Sequence, residues 1–284
     1  MDATFGAVVT GVRLAAIDDA GWSLIENAFN EHAVLVFPGQ HLSEAQQKSF
    51  GRRLGPLETI GAEEGITQIT NQRPDGTLLA VDHPGSLLMR GNEGWHTDSS
   101  YMPVSAKASM LSAHIVASSG GDTEWADMRD AYDSLDLTTR QRIAGLAAYH
   151  SIVRAQESIG PINGLAGFYG FEDRPAPLRP LVKVHPVTGR SALFIGRHAY
   201  GIPGLPAEES VSLLDDLLHH ACRPPRVYVH HWQVGDLVLW DNRCVLHRAR
   251  PYDPNEARRM VHTRVSGDPA TESAIGFAPD PVVV

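Results

Sequence analysis

Apolar positions recur at two different periods along this chain. Behind the acidic pair Asp18-Asp19, Trp22, Ile25 and Phe29 repeat at spacings of three and four, which predicts an amphipathic helix over Ala20 to Glu31. Ala33-Val34-Leu35-Val36-Phe37 is a continuous apolar run closed by Pro38-Gly39, the pattern of a buried strand. A shorter strand is predicted earlier, over Ala7 to Val12. Ser43 with Gln46 three residues later forms a capping-box pattern and opens a helix through Leu54. Short strands mixed with Gly/Pro-rich loops follow up to Val116, and Thr138 to Ala148 reads as a helix. Residues 151–180 are rich in Gly and Pro without a period, a pattern that fits a mobile lid and an ordered surface loop equally.

The C-terminal third reverts to a clear pattern. Glu208 to Ala221 is a helix whose Val211, Leu214, Leu217 and Leu218 form one apolar face. Strands are predicted over Arg226 to Trp232, Asp236 to Trp240, Arg243 to Arg248 and Arg258 to Val265. Many short strands with few helices imply a mostly β fold, a sandwich or barrel covered by helices on one side. With 284 residues and 43% hydrophobic content the chain suits one large domain, residues 1–284.

Charge and cysteine content narrow the function classes. A formal net charge of −9 argues against nucleic acid as the main partner, while leaving room for a small anionic substrate held by a few local arginines. Two cysteines, Cys222 and Cys244, at no metal-like spacing, fit a reducing cytoplasm. The opening MDATFGAVVTGVRLA lacks the basic-then-apolar pattern of a signal peptide, and no apolar run reaches the length of a membrane span.

The candidate chemistry centres on Trp95-His96-Thr97-Asp98. On an extended strand, residues two apart share a face, so His96 and Asp98 point the same way. His247, brought in by the fold, would complete a 2-His-1-carboxylate set with open coordination positions, the donor set of non-heme iron(II) oxygenases. A zinc hydrolase could use the same three ligands. Most of the 14 histidines must be ordinary ones. His219-His220 close a helix, where cations are favoured. His230-His231 alternate faces, so at most one points inward, and His185 and His198 have no carboxylate at useful spacing.

Iron alone does not explain the basic segment that follows. Arg258 lies eleven residues past His247 and opens a strand on which Arg258, His262 and Arg264 share one face, with Arg259, Val261 and Thr263 on the other. Two arginines and a histidine converging on one side are costly to bury without anions. A dicarboxylate co-substrate and an acidic substrate would satisfy them through arginine's planar fork. The glycine-rich turn Gly120-Gly121-Asp122-Thr123 offers a hydroxyl to the same carboxylate.

These segments together resemble the taurine dioxygenase superfamily of Fe(II)/2-oxoglutarate-dependent enzymes. The resemblance rests on VLVFPGQ at 34–40, FGRRLGPLE at 50–58, WHTDSSY at 95–101, SGGDT at 119–123, GDLVLWDNRCVLH at 235–247 and the arginine strand. It implies a double-stranded β-helix (jelly-roll) core, Fe(II), 2-oxoglutarate and O2, and a homo-oligomer. By motif position, His96, Asp98 and His247 match the iron ligands, and Arg258 and Thr123 match the residues at the distal carboxylate of 2-oxoglutarate. Within the superfamily, the segments around 109–135 and 179–204 are most similar to aryloxyalkanoate dioxygenases of the 2,4-dichlorophenoxyacetate and (S)-phenoxypropionate (dichlorprop) type. These hydroxylate the carbon beside the ether oxygen, and the product collapses to a phenol and a 2-oxo acid.

His262 stands where taurine dioxygenase places its sulfonate-binding arginine, which weakens a taurine assignment. Arg264 becomes the candidate for the substrate carboxylate. Asn71 and Asn92 fall near positions that line family pockets, and Tyr101, Phe168 and Tyr169 are candidates for an aromatic wall. The alternatives are a sulfonate or alkyl-sulfate dioxygenase with the same iron chemistry and a noncatalytic jelly-roll binding protein. The strand register is directly testable. Arg258→Ala should raise the KM for 2-oxoglutarate far more than Arg259→Ala; the reverse order would show that the register is off by one residue.

Overall fold

The computed structural model describes residues 5–60, 63–160 and 175–277. Two β-sheets face one another. The larger has six strands in the order Ala7–Val8, Val34–Phe37, Leu237–Asp241, Ala108–Ile115, Arg259–Val265 and Thr67–Thr70. Facing it is a three-stranded sheet, Val227–His230, Thr123–Asp127 and Val245–Ala249. Neighbours far apart in sequence pair antiparallel, as in a jelly roll, the fold that the sequence leads one to expect.

Side-chain alternation builds this arrangement. Along Leu237–Asp241, Val238 and Trp240 point between the sheets, where they meet Trp125, Leu246 and Met260. Leu237 and Leu239 point the other way, into a second core with Trp22, Ile25 and Phe29 of the helix Asp19–His32 and Phe50 of the helix Glu44–Gly51. The large sheet is thus buried on both faces, which is why Val34–Phe37 reads as an unbroken apolar run. Ser43 and Gln46 make the expected capping box. Ala207–Ala221 is helical as read, with Leu214 and Leu217 buried but Val211 exposed.

Several elements differ from the sequence reading. The helix predicted over Thr138 to Ala148 is Leu137–Ile143; Gly145, at φ 78°, then reverses the chain, and Ala147–His150 is a strand between Leu178–Pro180 and Ala199–Tyr200. Pairing on both sides overrides the helix propensity of its alanines. Pro84–Gly91 and Met128–Asp133 are helices with N-caps at His83 and Asp127 that the periodicity did not announce. Residues 151–180 are not without structure in their described parts: Ile152–Glu157 is a helix, and Leu178–Pro180 is a strand. Phe168 and Tyr169 lie outside the described residues.

Asp127 ties the small sheet to the helix after it. Its carboxylate accepts from the Arg129 and Asp130 backbone N–H groups and from Arg129 Nε (2.9 Å) and Nη2 (3.0 Å), all at about 2% exposure or less for the pair. Removing it strands a buried guanidinium. Asp127→Ala should therefore lower the unfolding free energy by about 3–5 kcal/mol, read as a drop in the urea midpoint with unchanged m-value.

Candidate active site

The segment carrying His96 and Asp98 is not a strand. Only His96 pairs, through a two-bond antiparallel bridge in which His96 N–H donates to His247 O (3.0 Å) and His247 N–H donates to His96 O (2.7 Å). Such a hydrogen-bonded pair sets two side chains opposite each other, and the two imidazole centroids are 4.1 Å apart. His247 also sits in the small sheet opposite Trp125. Beyond His96 the chain turns, with Ser99 left-handed at φ 55°, and Asp98 is brought round by its partners rather than by strand alternation.

Asn242 is the centre of those partners. Its Oδ1 accepts from Trp240 Nε1 (3.0 Å) and the Asp98 N–H (3.3 Å), its backbone carbonyl accepts from Thr97 Oγ1 (2.8 Å), and its Nδ2 donates to Ser109 Oγ (2.8 Å). Ser109 in turn donates to Asp98 Oδ2 (2.7 Å). Neither duty is visible in residue order: Asn242 is one of several polar residues in the Trp-Asp-Asn-Arg segment, and Ser109 is a small polar residue inside a largely apolar strand.

His96, Asp98 and His247 each offer a ligand atom within 4.8 Å of the others, all buried. His96 Nδ1 donates to Gly94 O (2.8 Å), which leaves Nε2 as the free lone pair. Burial pushes the His96 pKa down to about 4, against the pull of Asp98, and holds His247 well below the ordinary histidine range. Both rings are therefore neutral at pH 7, the form that binds metal. Burial raises the Asp98 pKa, but the Arg264 guanidinium first, and then His262, more than compensate and hold it well below the usual carboxylate range. Two neutral imidazoles and one carboxylate fit a divalent iron centre with open positions.

The cavity at this cluster, about 50 Å³, is also lined by Thr123, Arg258, His262 and Arg264. Arg258, His262 and Arg264 line this cavity, as the alternation predicts, while Thr263 turns its hydroxyl to Gln47 Nε2 (3.1 Å), which also donates to the Val261 carbonyl. The strand's pairing with Ala108–Ile115 shifts register between Arg259 and Met260, where His114 is skipped. Arg264 Nη2 is 3.1 Å from Asp98 Oδ1, and His262 Nε2 is 3.3 Å from Asp98 Oδ2, its ring stacked on Trp240 at 5.7 Å.

Arg258 is 6% exposed and forms no ion pair among the described residues. Its Nη2 donates to Gly121 O (2.8 Å), and its guanidinium lies 5.5 Å from the Tyr252 ring centroid. Asn71 does not offer its amide to the cavity. Its Oδ1 accepts from the Arg258 N–H (2.9 Å) and its Nδ2 donates to the Pro254 and Glu256 carbonyls, so it fixes the backbone behind the arginine. Asn92 lines this cavity and a neighbouring one of about 290 Å³, whose walls include Ile69, Leu79, Val81 and Met89. Tyr101 packs edge-on against His198 at 5.0 Å.

Two histidines dismissed on spacing turn out to have close partners. His198 lies 5.7 Å from the His96 ring, with its Nδ1 3.1 Å from Ser100 Oγ; the chain returns here from 100 residues away, beyond what spacing can reveal. His185 does have a carboxylate, Asp241, at 3.0 Å. With Cys244 these two make a second metal-like group. Its donors are spent, however. His185 Nδ1 accepts the Val187 and Thr188 N–H groups, Asp241 takes Arg243 bidentately, and burial pushes the Cys244 thiol well up. His230 is buried on Asp236 and His231 is exposed, as alternation requires.

The family description "Taurine catabolism dioxygenase TauD, TfdA family" matches residues 1–264. A "(S)-phenoxypropionate/alpha-ketoglutarate-dioxygenase" of Sphingobium herbicidovorans is 51% identical over 281 residues, 97% of this chain and 96% of that protein. An "alpha-ketoglutarate-dependent 2,4-dichlorophenoxyacetate dioxygenase" of Cupriavidus pinatubonensis is 42% identical over 249 residues, 83% of this chain and 85% of that protein. Among solved structures, AAD-2 in complex with Mn(II) and N-oxalylglycine superimposes with a TM-score of 0.87 at 36% identity, covering 98% of both chains.

Metal titration distinguishes the two clusters. Mn(II) should bind at one equivalent by calorimetry. Asp98→Ala should weaken it at least about 100-fold and Ser109→Ala about 10-fold, by freeing the carboxylate from its support. Cys244→Ala should leave stoichiometry and affinity unchanged.

Proposed function

The chain belongs to the taurine catabolism dioxygenase TauD, TfdA family, and from that membership we propose that it hydroxylates aryloxyalkanoic acids at the carbon beside the ether oxygen. The observation that carries this reading is a buried guanidinium at the metal-type cluster: Arg258 faces the His96–Asp98–His247 donors and forms no ion pair with any described residue, while Arg264 and His262 line the same cavity beside Asp98. Two anionic ligands, a co-substrate and an acid substrate, suit these groups.

In this reading His96, Asp98 and His247 hold Fe(II), and Arg258 and Thr123 take the far carboxylate of 2-oxoglutarate. When bound, iron with 2-oxoglutarate and O2 supplies the oxidising equivalent that inserts oxygen into a C–H bond, with succinate and CO2 as co-products. Arg264 and His262 hold the substrate carboxylate, so the carbon next to it is fixed in position while the aryl ring extends away. The adjoining cavity, with Ile69, Leu79, Val81 and Met89 on its walls, suits that ring. Its volume of about 290 Å³ compares with the roughly 150 Å³ that admits benzene in an engineered core. Holding a chiral carbon between an anchored carboxylate and a shaped apolar wall distinguishes enantiomers by placement. The hydroxylated carbon carries both the new O–H and the aryl ether. Loss of that proton with cleavage of the ether C–O bond yields the phenol and a 2-oxo acid, pyruvate from a propionate and glyoxylate from an acetate. We further propose that residues 1–284 form one domain, a reading that the family match over residues 1–264 supports, and that the protein is a cytoplasmic homo-oligomer.

Oxygen uptake with Fe(II) and 2-oxoglutarate provides the test, with (S)-dichlorprop, (R)-dichlorprop, 2,4-dichlorophenoxyacetate and taurine supplied separately. The expected result is uptake stimulated most by (S)-dichlorprop, with phenol and succinate released in equal amounts. Sulfite release from taurine without phenol from any aryloxy acid would overturn the substrate class and leave the iron chemistry standing.

A further inference from the structure

We propose that Trp232 is a positioning residue for 2-oxoglutarate that acts by aiming the hydroxyl proton of Thr123 into the cavity. The inference rests on the reading of Thr123 and Arg258 as the site of the co-substrate's far carboxylate.

Thr123 opens a strand that is paired on both sides, opposite His230 and Ala249, and it is 3% exposed. Two residues past His230, the neighbouring strand delivers Trp232, whose Nε1 lies 2.9 Å from Thr123 Oγ1. An indole nitrogen can only donate, whereas a hydroxyl can donate once and accept twice. The direction of this bond is therefore settled by chemistry: Thr123 accepts, and its own proton must point elsewhere. Among the described residues, none accepts that proton. The space open to Thr123 is the cavity it shares with Arg258, Arg264 and the three metal-type donors.

Without the indole, the hydroxyl would be a free rotor that presents either its proton or a lone pair to an incoming carboxylate. With it, one lone pair is occupied and the donor orientation is favoured before the ligand arrives. Preorganisation of this kind raises affinity by removing an ordering cost and a repulsive orientation. The indole is itself fixed. It packs edge-on against His230 at 4.7 Å, and His230 Nε2 lies 3.1 Å from Asp236 Oδ2. Asp236, His230 and Trp232 thus form a short relay of contacts that ends on the Thr123 hydroxyl. Trp232 also lines the outer cavity behind Arg258, so it supports the carboxylate site from outside without touching the ligand.

The test is calorimetric titration of N-oxalylglycine into the Mn(II)-loaded protein, which reads binding without turnover. Trp232→Phe should weaken N-oxalylglycine roughly three- to tenfold, the scale of one oriented hydrogen bond. Thr123→Val should weaken it at least as much, and Thr123→Ser, which keeps the hydroxyl, should restore most of the affinity. The double variant Thr123→Val with Trp232→Phe should be no weaker than Thr123→Val alone, because the indole acts only through the hydroxyl. In turnover, the KM for 2-oxoglutarate should rise in Trp232→Phe while the KM for the aryloxy acid stays put. Placing benzothienylalanine at position 232, with sulfur where the N–H was, deletes the donor without changing the ring's shape and guards against a packing defect. If Thr123→Val and Arg258→Ala weaken N-oxalylglycine but neither ring variant does, or if the double variant is additive, the role of Trp232 is overturned and the co-substrate site stands. If neither Thr123→Val nor Arg258→Ala changes the affinity, the co-substrate reading falls and this inference with it.

Discussion

The site depends on the two-bond backbone bridge between His96 and His247. One partner comes from an irregular segment and the other from a strand of the small sheet, and nothing local would bring them together. Once both backbones are exchanged, the two rings have little choice: a hydrogen-bonded antiparallel pair holds its side chains on the same face, and here their centroids lie 4.1 Å apart. The price is irregularity just beyond His96, where a left-handed Ser99 turns the chain back. Asn242 and Ser109 then seat Asp98, using three hydrogen-bonding groups on one strand of the large sheet and in the turn after another. Both sheets therefore contribute to one cluster, and the jelly roll matters because it closes them on each other.

Charge is the second organising constraint. Buried imidazoles at this site are kept neutral chiefly by desolvation, which suits metal ligation, while the guanidiniums of Arg258 and Arg264 remain cationic in the same small volume. Among the described residues, Asp98 is the only carboxylate on the wall of that cavity. Guanidiniums gathered in so small a volume are costly to bury and favour anionic partners. The second cluster, His185–Asp241–Cys244, is the instructive contrast. It has the residue types of a metal site, but backbone N–H groups occupy His185 Nδ1, Arg243 occupies Asp241, and burial disfavours the Cys244 thiolate.

Much of this was legible from residue order. The amphipathic helices, the apolar strand at 34–37, the capping box and the inward face of Arg258, His262 and Arg264 all follow from local periods of 3.6 and 2, and the structure keeps them. The misjudged elements fail for one common reason. Ala147–His150 is a strand because two distant segments pair with it, and His96–Asp98 is a turn because its partners lie 145 residues or so away. Helix propensity and strand alternation describe a segment's own preference, and tertiary pairing outvotes that preference wherever both edges of the segment are occupied.

The sequence by itself determined which chemical groups are present and which of them share a face: a His-x-Asp pair, a later histidine, and arginines spaced to lie together on one strand. Those are properties of side-chain type and local backbone period. Tertiary structure alone decided which histidines join the site, so that His198 lies beside His96 while His185 is consumed by Asp241. It also decided that Asn71 holds the backbone of Arg258 and that an indole just past the neighbouring strand faces the hydroxyl of Thr123. Hydrogen bonds and burial act over a few ångströms of space, and residues this far apart along the chain meet only after the sheets have closed.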